Sequence, residues 1–253
     1  MSVSLKDLEL ELNELLNPAS FRDYCPNGLQ VEGKHNIRKI VSGVTASTAL
    51  IEAALSKNAD ALLVHHGYFW RGENQNIVGM KRNRLKLLLD NELSLFAYHL
   101  PLDAHPLLGN NAQLGKLLGI ETVDRIGPQG ESPLVNVGRL PQPVTAAELT
   151  LLLSDTLGKA PVVAPGSIEK IQTVAWCTGA AQNYFELAAN ANVDAYITGE
   201  ISEPSAHIAS ESGVHFFAAG HHATERYGVQ AVGEYLQEKF GLEHEFIDID
   251  NPA

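Results

Sequence analysis

Two adjacent histidines close an apolar run, Ala61-Leu-Leu-Val-His65-His66-Gly67. Apolar residues ended by a glycine read as a buried strand that delivers its end to a cleft. Two imidazoles at a strand end are more than packing needs. Further along, His99-Leu-Pro-Leu-Asp103 and His221-His222-Ala-Thr-Glu225 each place a carboxylate four residues after a histidine. Imidazole and carboxylate are ligands of zinc-, iron- and manganese-type ions. His65, His66, Asp103, His221 and Glu225 supply three imidazoles and two carboxylates, with His99 in reserve. One ion of this class rarely needs so many donors. Two do, with a carboxylate such as Glu225 bridging them at about 3.5–4 Å. Neighbours on an extended segment point to opposite sides, so His65 and His66 are expected to serve different ions if the chain turns between them.

A histidine pair alone is commonly a surface or capping feature. The two matching His-x-x-x-acid motifs, after matching strands, are what favour a metal. Glu200, where the second half of the chain has its counterpart of the histidine pair, is the candidate for proton transfer; its plainer reading is a surface acid after a strand. Tyr68-Phe69-Trp70 offers rings that could stack on a planar base or simply pack the loop. Lys81, Arg82, Arg84 and Lys86 read as a phosphate clamp or as a solvated helix face. His222 reads as a supporting donor or a solvent-facing residue, and His35, His105, His207, His215 and His244 as structural. Cys25 lacks a basic neighbour that would lower its pKa, and is not read as a nucleophile. Walker-type, GxGxxG and GxSxG motifs are missing.

The elements that must position these residues follow from periodicity. Ser4 caps a helix with leucines at 5, 8, 12, 15 and 16, ended by Asn17-Pro18. Phe21 to Gln30 reads as a loop with a turn at Pro26-Asn27-Gly28. A strand over 37–44, a helix capped by Ser47 and ended near Asn58, and a strand over 61–64 follow. A helix over 81–91 leads to a strand over 93–97, and a short helix is stopped by Gly119. Residues 125–135 read as a linker, and 136–170 as a small strand-helix-strand unit whose helix is capped by Thr145.

The second half then repeats the first. Residues 37–66 align without a gap on 171–200, with identities at Ile37/Ile171, Ala46/Ala180, Glu52/Glu186, Ala54/Ala188, Asn58/Asn192, Asp60/Asp194 and Ala61/Ala195. Leu93 to His99 and Val214 to His221 are both strand-like and both end in a histidine. The expected fold is α/β: duplicated α/β units with mixed sheets flanked by helices, one half over 1–125 and the other over 126–253. Ligands of such sheets sit at the carboxyl ends of strands, so the dinuclear site is expected in the cleft between the two halves.

The chain has 253 residues and a net charge of −12. That length supports a sizeable core, and the acidic balance disfavours a broad nucleic-acid-binding surface. Two cysteines, Cys25 and Cys177, make no disulfide framework. The start Met1-Ser-Val-Ser-Leu-Lys-Asp is unlike a signal peptide, and no apolar run approaches membrane-spanning length. A cytoplasmic protein is expected.

These stretches, together with Asn27-Gly28-Leu29-Gln30, Ala195-Tyr-Ile-Thr-Gly199-Glu200 and Gly220-His-His-Ala-Thr-Glu225-Arg226, resemble the Nif-three-like family, the type 2 homologues of GTP cyclohydrolase 1. Within it the chain is similar to the short bacterial YbgI-type members, because the long central insertion is missing. The resemblance implies two divalent metal ions per subunit on His65, His66, Asp103, His221 and Glu225, with His99 beside them as a supporting or accessory ligand. It also implies two α/β halves and a ring-shaped homohexamer. The activity it implies is metal-dependent hydrolysis through metal-activated water, with a small-molecule substrate such as a nucleotide. The competing reading is a non-catalytic metal-handling or ring-scaffold protein, including a role in the response to DNA damage. Many members carry an acid near the end of the first strand, where this chain has Val44-Thr45.

Overall fold

The computed structural model describes residues 1–130 and 132–253. It opens with β1 (Val3–Ser4) and α1 (Leu5–Leu16). The Ser4 hydroxyl accepts the Asp7 amide at 3.1 Å, satisfying a donor the first turn leaves open. Asn17, with φ 46°, closes the helix in the left-handed region. Leu5, Leu8, Leu12 and Leu16 share one buried face. Then come β2 (Gly28–Val31), β3 (Asn36–Ile37), β4 (Lys39–Thr45), α2 (Thr48–Ser56), β5 (Ala61–His66), α3 (Gly79–Asp90), β6 (Ser94–Ala97) and α4 (Leu100–Ala104). The segment expected as a loop over 21–30 is thus a loop only as far as Asn27; from Gly28 it pairs with β6.

The chain continues through α5 (Asn110–Leu117), β7 (Glu121–Ile126), β8 (Val135–Val144), α6 (Ala146–Leu157) and β9 (Val162–Ala164). Thr145 and Glu148 close a reciprocal capping box on α6. Next are β10 (Ile171–Trp176), α7 (Phe185–Ala189), β11 (Ala195–Thr198), α8 (Glu203–Ser212), β12 (His215–Ala218) and α9 (His221–Thr224). The last elements are α10 (Arg226–Phe240) and β13 (Glu243–Phe246). No helix among the described residues is long and apolar enough to cross a membrane.

Two compact units result, one of residues 1–109 with 228–250 and one of 110–227 with 251–253. This differs from the expected halves at 1–125 and 126–253. The chain returns because β13 pairs in parallel with β4, and Val229, Val232 and Leu236 of α10 bury against the leucines of α1. The expected linker at 125–135 is a hairpin connection instead: β7 pairs antiparallel with β8. Its Gly-Pro-Ser content serves that turn; Glu131 lies outside the described residues. The small unit expected at 136–170 is not separate either, since β8 pairs with β10 and β9 with β12.

The first unit carries a five-stranded sheet in the order β13-β4-β5-β6-β2, and the second a six-stranded one in the order β7-β8-β10-β11-β12-β9. Both are mixed, with a parallel trio inside: β4, β5 and β6 in one, β10, β11 and β12 in the other. Apolar clusters fill both units. The repeat extends to register. Ile40 faces Ala61 and Ala61 faces Ser94; Val174 faces Ala195 and Ala195 faces His215. The shared asparagines and aspartates have matching jobs. Asn58 and Asn192 both take φ 56° after their helices, a conformation asparagine tolerates. Asp60 accepts the amides of Arg38 and Lys39, and Asp194 those of Gln172 and Thr173.

One histidine expected to be structural senses pH. His244 is partly buried, its Nε2 lies 2.8 Å from the Ser42 hydroxyl, and a Cβ on Gly233 would meet its ring at 2.0 Å. Burial pushes its pKa down to about 4, against a smaller opposing pull from Glu245. Its folded pKa lies below the unfolded one, so the unfolded chain binds the proton more tightly. The stability from neutral His244 is therefore full above the unfolded pKa near 6.5 and is lost as pH falls through about 4. A His244→Asn variant should lose less stability than the parent between pH 7 and pH 5, read by urea denaturation; parallel losses would contradict this.

Candidate metal centre

In the first unit the site begins where β5 ends. His65 is fully buried and His66 half-buried. His65 Nδ1 lies 2.9 Å from the Tyr98 carbonyl oxygen. A carbonyl only accepts, so Nδ1 carries the proton and Nε2 keeps its lone pair. His66 Nδ1 lies 3.2 Å from the Thr45 hydroxyl, at the end of β4. The two rings do not diverge as alternation along a strand predicts; their centroids are 4.5 Å apart. Their Nδ1 tethers run to the strands on either side of β5, one past the end of β6 and one at the end of β4.

Gly67 then turns the chain. A Cβ there would come within 2.2 Å of Gln30 Oε1. That oxygen accepts the Tyr68 amide at 2.7 Å, while Gln30 Nε2 donates to the Pro26 and Tyr68 carbonyls. The Gln30 amide thus joins the loop before β2 to the loop after β5.

His99 follows the end of β6 by two residues and directly precedes α4. Its carbonyl accepts the amides of Leu102 and Asp103, the helical turn that brings a His-x-x-x-Asp pair to one face. Asp103 is buried, and its Oδ1 lies 3.5 Å from His65 Nε2. His99 Nδ1 donates to Asp23 Oδ1 at 2.7 Å, which again leaves Nε2 open. His65, His66 and His99 offer ligand atoms that all lie within 4.8 Å of one another. His99 therefore joins the histidine pair rather than standing apart from it.

Asp23 and Cys25 lie equally close to His99, yet they make a poor ligand set. Asp23 Oδ1 accepts from Tyr24 N and His99 Nδ1, and Oδ2 from Asn27 Nδ2 and Leu100 N. Four donors fill its lone pairs. Burial acts to raise the Asp23 pKa, but His99, Asn27 and the Tyr24 amide outweigh it and hold the carboxyl ionised. Burial, and then the Asp23 charge, push the Cys25 thiol up to about 12, so it stays protonated and is a weak ligand. Asp23 orients His99, and Asn27 helps by accepting the His99 amide at 2.7 Å.

The second unit builds the matching corner. His221 opens α9 and Glu225 follows it; the Glu225 amide donates to the His222 carbonyl. His221 Nε2 lies 3.2 Å from Glu225 Oε2, and Glu225 is buried. His221 Nδ1 donates to Glu200 Oε1 at 2.7 Å. Glu200 thus plays for His221 the part Asp23 plays for His99. Burial acts to lower the His221 pKa, but Glu225 and then Glu200 override it and hold it up at about 9. Gly179, with φ 70°, keeps the corner open: a Cβ would fall 2.0 Å from Glu225 Oε1 and 3.3 Å from His221 Nε2. The Thr198 hydroxyl and the Gly199 amide both bind the Gly179 carbonyl. Nitrogen donors with their second nitrogen tethered, buried carboxylates and a space only glycine leaves are what a zinc-, iron- or manganese-class ion requires.

The other histidines have local tasks. His105 Nδ1 accepts the Leu107 and Leu108 amides. His215 is held by the Gly166 amide and the Ile168 carbonyl, and His207 pairs with Glu203 on an exposed helix face. His222 is buried rather than solvent-facing. Asp23 is the functional residue that sequence reasoning missed. It sits in an aperiodic loop that lies outside the aligned repeat. Replacing Glu200 by alanine removes the His221 tether without touching a first ligand. Zinc affinity, measured by chelator competition, should fall about 10–100-fold with the thermal midpoint little changed; unchanged affinity would show that the tether is idle.

The family model for Duf34/NIF3 (NGG1p interacting factor 3) matches residues 3–252. A Pseudomonas aeruginosa protein named GTP cyclohydrolase 1 type 2 homolog is 53% identical over 253 residues, covering all of both chains. An Escherichia coli K12 protein of the same name is 54% identical, over 98% of this chain and 100% of that one. The solved structure of protein ybgI, described as of unknown function, superposes with a TM-score of 0.95 at 53% identity, over 99% of this chain and 100% of that one.

Proposed function

The chain belongs to the Duf34/NIF3 family, and on that premise we propose that it is a metal-dependent hydrolase holding two divalent ions. His65, His66, Asp103, His221 and Glu225 hold them, with His99 accessory. The observation that carries this reading is the tethering of imidazoles. Nδ1 of His65, His99 and His221 each meets an oxygen that only accepts, so Nε2 is the nitrogen left to meet a cation, that of His221 after giving up the proton it shares with Glu225. When bound, such a pair supplies Lewis-acid charge at a substrate oxygen and lowers the pKa of water.

The chain's own residues do the rest. Asp103 and Glu225 provide buried negative charge that balances the cations. Asp23 and Glu200 hold the Nδ1 protons of His99 and His221 and so fix both rings. Glu200, singled out in the sequence for proton transfer, is 43% exposed at its side chain and reaches His221 Nδ1 from the solvent side. Trp70 shields the imidazoles, its ring 5.0 Å from His99 and 6.0 Å from His66. The name carried by the relatives makes a guanine nucleotide one substrate to test. A ring-shaped hexamer belongs to the same proposal.

Metal content by elemental mass spectrometry, on gently purified parent, His65→Ala and Glu225→Ala proteins, should show about two ions per parent chain and fewer in each variant. The same samples, run against GTP, other nucleotides and generic phosphoesters, should show turnover that follows the metal. Two ions without turnover would contradict hydrolysis and favour metal handling. No uptake of metal would return these histidines to structural roles.

A further inference from the structure

Beside the imidazoles the first unit carries a cavity of about 470 Å³ lined by Phe69, Trp70, Arg71, Glu73, Gln75 and Lys81. Its size falls in the range of small-ligand pockets. Trp70 is a wall shared with the metal centre, since the same indole packs edge-on against His99. The pocket is built at a cost in backbone strain. Phe69 adopts φ 67°, a conformation bulky residues avoid and which gathers at functional sites. The Phe69 ring lines the cavity, and Lys81 Nζ stands 5.0 Å from its centroid. Glu73 clasps the loop, accepting the Trp70 amide on Oε2 and donating its own amide to the Trp70 carbonyl. It also pairs with Lys81 at 3.4 Å. Arg71 is anchored by its bond to the Asp23 carbonyl, which ties the cavity to the loop that orients His99. The first turn of α3, which contains Lys81, has no side-chain cap and no acidic residue, so its open amides add positive potential on the same side.

Rings that offer stacking surface, two cations and one carboxylate define a ligand: planar, and of small negative charge. We propose that this cavity binds the aromatic part and the single phosphate of an aryl or nucleoside monophosphate, and that it does not bind a triphosphate. A triphosphate brings about four negative charges near neutral pH. Two lysine and arginine charges, one already shared with Glu73, do not balance them. A phosphomonoester carries about two or fewer, so Arg71 and Lys81 beside Glu73 leave far less of its charge unbalanced. The identity of this ligand as substrate rests on the hydrolase reading above; its binding does not.

The test is calorimetric binding to the full chain stripped of metal. GMP, CMP and 4-nitrophenyl phosphate are the probes, with guanosine, inorganic phosphate and GTP as comparisons. Each monophosphate should bind at least about tenfold more tightly than guanosine or phosphate, and GTP no more tightly than GMP. Lys81→Gln should weaken GMP about tenfold. Phe69→Gly removes the ring and also relieves the strained backbone. It should therefore weaken GMP while the thermal midpoint stays level or rises, which separates lost binding from lost folding. Absence of binding by all three monophosphates, tighter binding of GTP than GMP, or parent-like binding by both variants would overturn the proposal. Turnover is not part of the readout, so its failure on a substrate panel leaves this result unaffected.

Discussion

His65 and His99 in the first unit, and His221 in the second, are each fixed through Nδ1. An N–H held by a carbonyl or a carboxylate leaves one tautomer and one ring orientation. Tyr98 does this for His65 with its backbone, Asp23 for His99 and Glu200 for His221 with their side chains. Two of the acceptors are carboxyl groups, that of Asp23 held ionised by its donors, and each partner is itself held. Asp23 accepts four donors, and the Tyr98 side chain is anchored to Asn13. Without them a histidine at a strand end would sample several rotamers, and a cation would have to order its ligands on binding.

The rest of the fold places those tethers. Parallel strands end together, so residues following β4, β5 and β6 gather at one edge, and those following β10, β11 and β12 at another. Glycines at the corners let backbone and side chain approach more closely than any Cβ would permit. Gly67 admits the Gln30 amide, and Gly179 admits the Glu225 carboxylate. The duplicated strand-helix-strand unit gives each half the same layout. The two halves then diverge in chemistry, with a histidine pair at the end of β5 and Gly199-Glu200 just after β11.

Much of this was legible in the sequence. Helical spacing located α1, cap residues marked the starts of α1, α2 and α6, and the aligned identities corresponded to matched registers. The ligand candidates stood out because two His-x-x-x-acid motifs follow equivalent strands of the repeat, beside a histidine pair. What was not legible depended on contacts distant in sequence. No periodicity shows that β13 pairs with β4, because parallel pairing needs no turn between the partners. The hairpin at 125–135 resembled a linker because turns and linkers share glycine, proline and serine. Asp23 was silent because its role is defined by a bond to a residue 76 positions away. The convergence of His65 and His66 was missed for the same reason. Strand alternation predicts the direction of a Cβ, whereas ring position is set by hydrogen bonds from the flanking strands.

The central claim is that Nδ1 is the tethered nitrogen and Nε2 the ligand. Long-range ¹H–¹⁵N spectra of the histidine rings, with and without added zinc, test it directly. The account predicts that Nδ1 of His65, His99 and His221 stays protonated in both states and that Nε2 of each shifts on zinc addition. Shifts at Nδ1 instead, or histidine rings unchanged by zinc, would contradict it.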